Sequence, residues 1–256
     1  MGKDCNFLKF LGTAGARFVM IRQLRSSAGI WLNYNSTNLL IDPGPGCLVR
    51  CHKSRPKLNP SKLDGIILTH KHLDHSGDLN VMIEAMTEGG FKKKGKLFLP
   101  SDALGEDGVV FRYLEKKVKK IGKLKKKKFR VKDVEFSVPI KNKHSVETYG
   151  AKFYLGKEVV AYVSDTKNFN KLIKAYSDAT VLILNVVFFK ARPDYDHLSL
   201  LEAVDLVKRI KPKKAIFTHF GISILKKKPH LLEEETKKET GLDICFAYDG
   251  MSVDIG

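Results

Sequence analysis

The sequence predicts an α/β fold, in which short buried strands alternate with helices. Apolar runs at 38–42, 65–69 and 215–219 are too short for helices, and each ends in or is followed by a polar side chain that can do chemistry. The second and third lead into the same dipeptide, Thr-His. Helical patterns separate such runs along the chain, which is typical of strands joined by crossover helices. Functional sites on α/β sheets lie at the ends of these strands.

The elements are predicted in the following order. Strands are expected at 6–13, 28–34, 38–42, 65–69, 96–100, 129–140, 148–155, 158–164, 180–186, 215–219, 244–248 and 251–255. Helices are expected at 47–53, 78–88, 109–121, 168–176, 199–211 and 229–240. The helix at 199–211 has the strongest start signal, a capping box from Ser199 to Glu202, and Pro212 stops it. Asp78 is suited to cap the helix that it opens.

The highest density of metal-binding side chains lies at 70–75, directly after the 65–69 run, with the sequence His-Lys-His-Leu-Asp-His. Residues two apart in an extended segment point the same way, so His70 and His72 can bind one cation together. As the chain turns towards the helix at 78–88, Asp74 and His75 can face a second cation close by. Neutral imidazole and carboxylate are ligands that suit zinc or a similar divalent ion.

This pattern is similar to the metal motif of the metallo-β-lactamase superfamily. The remaining motif positions of that superfamily recur in order as Asp42, His144, Asp165 and His219. The resemblance runs from about residue 6 to the end of the chain. It implies a four-layer αβ/βα sandwich, formed by one domain over 1–256, whose two halves each bring a Thr-His strand end to a shared cleft.

The resemblance also implies a site for two divalent metal ions, zinc in the first place, with Mn²⁺ or Fe as alternatives. By motif match, His70, His72 and His144 would bind the first ion, Asp74, His75 and His219 the second, and Asp165 would bridge the two. A hydroxide shared between the ions would attack the substrate, and Asp74 would count among the catalytic residues. Asp42 is expected to hold the histidine loop from beneath rather than to bind metal.

A further histidine, His197, points to phosphodiester substrates. Phosphodiesterases of the superfamily, ribonuclease Z among them, keep a histidine before the helix that precedes the last ligand strand, where it contacts the phosphate or protonates the leaving oxygen. The residues Tyr-Asp-Gly-Met at 248–251 also resemble that branch, including the phosphodiesterase associated with carbon–phosphorus lyase. Either Asp194 or Asp196 could orient the His197 ring.

Two departures from the branch leave the natural ester open. Twenty residues separate His144 from Asp165, which gives no room for the long tRNA-clamping arm of bacterial ribonuclease Z. The extra zinc-binding cysteine cluster of the carbon–phosphorus-lyase enzyme is absent, since Arg-Ser-Ser-Ala stands at 25–28. The resemblance therefore predicts a dinuclear metal phosphodiesterase that acts on a nucleotide or nucleic-acid-type phosphodiester.

Three other functions stay open at this point. A thioester, lactone or lactam hydrolase would use the same metals and leave His197 idle. A nucleic-acid-binding protein without catalysis would be expected to lack metal ligands, whereas this chain has the full set. An oxygen-reducing di-iron protein of the same fold would normally have Glu in place of His72.

Composition and cysteine content are typical of a globular protein in a reducing compartment. The 256 residues are 43% hydrophobic, and we find neither a leader nor the ~20-residue apolar run of a membrane span. Cys5, Cys47, Cys51 and Cys245 form no dense framework, so we expect a cytoplasmic protein. We expect no membrane partner and consider a homodimer possible. Cys47, Cys51 and His52 have the spacing of another metal site, but core packing is the favoured interpretation.

The net charge of +18 is concentrated at 109–132, which holds twelve lysines and arginines against one acid, Glu115. Apolar residues recur there at helical spacing, so the segment is predicted to begin as an amphipathic helix with a cationic outer face. Such a surface attracts polyanions in a salt-dependent manner, and nucleic acid is therefore a candidate partner. A merely solvated face is the alternative, because no base-stacking motif is interleaved with the lysines.

Overall fold

Two β-sheets packed face to face form the centre of the molecule. The structure is a computed structural model that describes residues 6–255, so Cys5 lies outside the described residues. The strands are β1 (Phe7–Phe10), β2 (Ile30–Tyr34), β3 (Thr37–Ile41), β4 (Gly65–Ile67), β5 (Lys94–Leu99), β6 (Val118–Lys123), β7 (Lys128–Val131), β8 (Val134–Ser137), β9 (Ala151–Leu155), β10 (Glu158–Val163), β11 (Val181–Phe188), β12 (Leu198–Ser199), β13 (Lys214–Thr218), β14 (Ile244–Phe246) and β15 (Ser252–Asp254). The helices are α1 (Ala16–Ile21), α2 (Cys47–Lys53), α3 (Leu73–Ser76), α4 (Leu79–Met86), α5 (Arg112–Glu115), α6 (Lys171–Tyr176), α7 (Leu200–Ile210), α8 (Ile222–Leu225) and α9 (Pro229–Thr240).

The strand order brings the parallel strands of each sheet together. The first sheet has the order β15-β1-β2-β3-β4-β5-β6, and its strands from β3 to β6 run parallel. The second has the order β14-β13-β11-β10-β9-β8-β7, with β12 beside β11, and its strands β10, β11, β13 and β14 run parallel. Parallel strands align their carboxyl ends at one edge, and this edge of each sheet carries the candidate site.

Alternate residues of the strands pack into different cores, and this places the layers. Leu39 and Ile41 point into the core between the sheets, whereas Leu40 packs under the helices on the outer face of the first sheet. In the second sheet Leu182 packs against α7 on the opposite side, and Ile183 against the first sheet. The order helix, sheet, sheet, helix confirms the predicted α/β fold and its four-layer αβ/βα sandwich.

The predicted basic helix at 109–121 is wrong. Only Arg112–Glu115 is helical, and the chain then forms β6, in which Ile121 lies beside Leu97 of β5. Leu114 and Val118 are buried, which accounts for the helical spacing of the apolar residues. However, residues 118–123 pair with β5 and therefore form a strand. The lysines accordingly line an edge strand, where their charge opposes pairing with another chain.

Three smaller differences also arise from local turns and tertiary contacts. The single strand predicted at 129–140 is a hairpin of β7 and β8, which turns at Lys132 with a φ of 47°. Helix α1 was not predicted. Asp78 does not cap α4, because its carboxylate instead accepts a hydrogen bond from the Leu48 N–H at 3.0 Å. The capping box of Ser199 and Glu202 is confirmed.

Cys47 and Cys51 lie fully buried in the core beneath the helices of the first sheet. Neither belongs to any group of metal-capable side chains within residues 6–255, and His52 is exposed. The interpretation as core residues therefore fits better than a second metal site. None of the helices within residues 6–255 has both the length and the apolar composition of a membrane span.

Candidate metal centre

The candidate site lies where the carboxyl ends of strands from both sheets meet. Asp42 follows β3, the histidine loop follows β4, Asp165 follows β10 and His219 follows β13. The two sheets pack against each other, so residues far apart in sequence reach the same cleft. The sequence-predicted side chains are brought together there in two groups of three, and Asp165 lies between the groups.

The first group consists of His70, His72 and His144, whose donor atoms lie within 4.8 Å of one another. His72 Nδ1 and His144 Nε2 are 3.1 Å apart. His144 Nδ1 donates to the backbone carbonyl of Asp196 at 3.0 Å, which leaves the lone pair of Nε2 directed at the group. This is the tautomer that a metal-binding imidazole requires.

The second group consists of Asp74, His75 and His219. His219 Nε2 lies 3.4 Å from His75 Nε2 and 3.6 Å from a carboxylate oxygen of Asp74. His75 Nδ1 donates to Asp42 at 2.9 Å, so Nε2 is again the nitrogen with a free lone pair. Three side chains with converging donors could hold a second cation.

Asp165 lies between the two groups and is 2% exposed. Its carboxylate oxygens are 3.8 Å from His70 Nε2, 3.6 Å from His75 Nε2 and 3.3 Å from His219 Nε2. The amide of Asn185 donates to Oδ1 at 2.7 Å and fixes the carboxylate in this position. A carboxylate so placed could contact a cation in each group.

The electrostatics around Asp165 attract positive charge to the site. Burial lowers the pKa of His75, but Asp42 and Asp165 raise it well above its ordinary value, so a cation in the second group would take the place of the proton on Nε2. Burial lowers the pKa of His70 well below its ordinary value, with positive charge on His75 acting in the same direction. Burial opposes ionisation of Asp165, yet the neighbouring His219 and His197 rings hold its pKa well below the usual range. His70 Nε2 is buried and has no hydrogen-bond partner. A neutral imidazole with an unused buried lone pair, beside an ionised carboxylate, fits a metal ion.

Asp42 supports the histidine loop from beneath, as the sequence predicted. One carboxylate oxygen accepts from the Thr69 N–H at 2.7 Å, and the other accepts from the Thr69 hydroxyl at 2.8 Å. The Tyr162 hydroxyl also donates to this carboxylate, at 3.2 Å. Thr69 Oγ1 lies 3.1 Å from His70 Nδ1, so this hydroxyl can accept from Nδ1–H and leave Nε2 of His70 free.

Two glycines let the backbone come close enough to shape the site. A Cβ on Gly15 would lie 1.9 Å from the carbonyl oxygen of His219, and one on Gly44 would lie 2.0 Å from that of Asp74. Only glycine allows such contacts. Gly44 therefore lets the turn at 43–46 pack directly against the backbone of the Asp74 loop.

Asp249, which the sequence suggested only as part of a family-like ending, fastens the loop that supports His219. Its carboxylate accepts from the backbone N–H and the hydroxyl of Thr13, at 2.9 and 2.8 Å. It also accepts from the Ser26 N–H at 2.8 Å and from Arg50 at 2.7 Å. Its position in the Tyr-Asp-Gly-Met motif was the only sequence signal of this role.

A model of the β-lactamase superfamily domain matches residues 37–220. The chain belongs to the metallo-β-lactamase superfamily. In sequence it is 29% identical to the protein MJ1374 of Methanocaldococcus jannaschii, over 96% of this chain and 94% of that protein. It is 24% identical to ribonuclease Z of Borrelia garinii, over 96% of each.

Solved structures agree with this family. The metallo-β-lactamase fold protein YhfI of Bacillus subtilis has a TM-score of 0.78 at 20% identity, over 98% of this chain and 100% of that one. A diphosphatase of the PhnP family has a TM-score of 0.72 at 20% identity, over 98% and 97% of the two chains. At these identities the likeness establishes the metallo-β-lactamase fold.

His197 lies in the cleft of this superfamily member, beside both groups. Its Nδ1 is 3.4 Å from Asp165, and its ring centroid is 5.1 Å from that of His144. Within residues 6–255 neither Asp194 nor Asp196 hydrogen-bonds the His197 ring, so the carboxylate that faces the ring is Asp165. Burial lowers the pKa of His197 although Asp165 opposes the change.

Proposed function

We propose that this metallo-β-lactamase superfamily member is a dinuclear metal phosphodiesterase. The observation that carries the proposal is the position of His197, which shares one cleft with Asp74, Asp165 and His144. A thioester, lactone or lactam hydrolase would need the metal ligands but no histidine at this place. We also propose that the protein is located in the cytoplasm.

The metal ligands are proposed as the sequence assigned them. His70, His72 and His144 hold the first ion, Asp74, His75 and His219 hold the second, and Asp165 contacts both. The converging donor atoms and the unused lone pair of His70 support this assignment. Zinc suits the histidine-rich set, and Mn²⁺ or Fe would also fit it.

When bound, two divalent ions supply an activated water and positive charge beside the phosphoryl oxygens. The side chains must then orient the ester and help the leaving oxygen depart. His197 is placed to donate a hydrogen bond or a proton to that oxygen. An anionic ester beside the ring would raise its pKa and so oppose the effect of burial.

The names of the relatives agree with this chemistry. Ribonuclease Z of Borrelia garinii matches the chain over nearly its whole length, and a PhnP-family diphosphatase shares the fold. Both names describe enzymes that act on phosphate esters or anhydrides. We propose a nucleotide or a nucleic acid as the source of the ester.

The basic segment 109–132 is proposed to attract that substrate. Strands β6 and β7 are the edges of the two sheets on the same side, since Phe129 of β7 packs on Phe98 of β5, the neighbour of β6, with ring centroids 5.3 Å apart. The parallel strand β6 ends at Lys123 on the edge that carries the site, two strands or about 10 Å from β4. The structure also stacks Phe111 on Tyr113, both exposed, with centroids 6.0 Å apart. Exposed aromatic rings at the start of a basic segment could stack on the bases of single-stranded nucleic acid.

The experiment is a substrate panel on the metal-loaded protein. Bis(p-nitrophenyl) phosphate, a thioester, a lactone and a β-lactam are assayed with the wild type and with His197→Ala. We expect hydrolysis of the phosphodiester that exceeds the other activities and depends on His197. Preferential turnover of the thioester or lactam, unaffected by His197→Ala, would refute the phosphodiesterase.

A further inference from the structure

A second lobe adjoins the cleft at the metal centre. The lobe at the centre has a volume of about 570 Å³, and the second has one of about 620 Å³. Both are lined by Arg17, Tyr195 and His197. The two lobes therefore adjoin at His197, so a ligand bound at the centre lies next to the second lobe.

The two lobes differ in charge. Carboxylates line the central lobe, namely Asp74, Asp165, Asp194 and Asp196. The second lobe is lined by Arg17, Arg192 and Lys226 and by no acidic residue. Within residues 6–255 none of these three cations makes a salt bridge, so their charge is available to a ligand. The central lobe suits cations, and the second suits an anion.

The second lobe also presents aromatic rings. Phe188 and Tyr195 meet edge to face with centroids 5.5 Å apart, and the Arg192 guanidinium lies 5.4 Å from the Phe188 centroid. Phe18 is 58% exposed and Tyr195 52% exposed, although both are large apolar rings at the rim of a cleft. Exposed rings beside an arginine can stack on a planar heterocycle.

We propose that the second lobe binds the nucleoside and a further phosphate of the substrate. Phe188 and Tyr195 contact the base, and Arg17, Arg192 and Lys226 bind a phosphate one nucleoside away from the phosphodiester at the metal centre. This inference rests on the proposed function and names its substrate as a nucleotide with a second phosphate. A small dinucleotide and the end of a nucleic-acid chain share this chemistry.

Binding of phosphate probes tests the second lobe without any turnover. Adenosine 3′,5′-bisphosphate, 3′-AMP and 5′-AMP are titrated by calorimetry into the metal-loaded protein, because only the bisphosphate can occupy the centre and the lobe together. We expect the bisphosphate to bind roughly 10- to 100-fold more tightly than either monophosphate, as a charged hydrogen-bonded contact provides. Arg192→Ala and Lys226→Ala should each reduce that ratio, whereas Lys208→Ala, which removes an exposed lysine of α7, should preserve it.

The outcomes separate this inference from the phosphodiesterase itself. Equal affinity for the bisphosphate and the monophosphates would overturn the proposed phosphate site in the second lobe. So would a ratio of bisphosphate to monophosphate affinity that is unchanged in both Arg192→Ala and Lys226→Ala. A preference for the bisphosphate without hydrolysis of any phosphodiester would support the phosphate site in the second lobe and overturn the proposed reaction. Turnover of a 5′-phosphorylated dinucleotide is compared with that of a 5′-phosphorylated 20-mer to separate the two substrate sources. A higher kcat/KM for the dinucleotide supports a small ligand. A higher kcat/KM for the 20-mer supports the end of a nucleic-acid chain.

Discussion

Replacing Asp42 with Asn tests whether the carboxylate beneath the histidine loop sets the metal affinity. This carboxylate accepts four hydrogen bonds, from the Thr69 N–H and hydroxyl, from His75 Nδ1 and from the Tyr162 hydroxyl, at 2.7, 2.8, 2.9 and 3.2 Å. An asparagine offers only one acceptor oxygen, and its NH₂ group would face donors. At least one buried donor would therefore lose its partner.

The size of the effect follows from the burial of this network. Asp42 is 3% exposed, so water cannot replace a lost partner. An unsatisfied buried donor costs about 1–3 kcal/mol, and we expect the free energy of unfolding of Asp42→Asn to fall by that amount. An asparagine that keeps its oxygen where three of the donors meet still accepts from His75 Nδ1, but as a neutral amide it is a weaker partner than the carboxylate. Weakening of such a partner lowers metal affinity by up to roughly 10- to 100-fold.

Chelator competition measures the metal affinity, and denaturant unfolding of the metal-free protein measures stability. Asp64→Asn is the matched control, because Asp64 also links neighbouring strands by accepting from the Asn38 N–H at 3.0 Å, but it lies at the start of β4, away from the site. We expect Asp64→Asn to retain wild-type metal affinity. A folded Asp42→Asn protein that binds metal as tightly as Asp64→Asn would refute the reasoning.

Three further changes test other parts of the site. His197→Ala should keep the metal content and reduce kcat on an alkyl phosphodiester by roughly 10²–10⁴-fold, with a smaller loss on a nitrophenyl ester that needs little protonation; equal losses on the two esters would indicate phosphate binding instead. Gly44→Ala should displace the Asp74 loop, since its Cβ would lie 2.0 Å from the Asp74 carbonyl, and elemental analysis should then show loss of metal. Reversing Lys125 and Lys126 to Glu should flatten the salt dependence of kcat/KM on a nucleic-acid substrate and leave kcat nearly unchanged; an unchanged salt slope would favour a merely solvated surface.

The position of the site could be predicted because its signals are local. Each proposed ligand lies in a short motif, several of them where a strand ends, and the structure brings the motifs to one edge of the two sheets. The support from Asp42 was also predictable, since β3 and β4 run parallel side by side and an aspartate that follows β3 lies next to the loop that follows β4. Strand ends and residue types were sufficient for both predictions.

The parts that the sequence did not predict depend on contacts between distant residues. The helical spacing at 109–121 gave the wrong element because pairing of Ile121 with Leu97 of β5 outweighs it. The contacts from Asn185 to Asp165 and from Asp249 to Thr13 join segments whose separation in sequence carries no local pattern. Likewise, Arg17, Arg192 and Lys226 of the second lobe come from three separate segments, so no sequence motif predicts that they line one cavity.

Metal stoichiometry tests the central claim most directly. The wild type and Asp74→Ala are reconstituted with zinc, freed of excess metal and analysed for zinc per chain. We expect two equivalents in the wild type and about one in Asp74→Ala, because the group of His70, His72 and His144 keeps its three imidazoles in that variant. One equivalent or less in the wild type, or two in Asp74→Ala, would contradict the dinuclear centre.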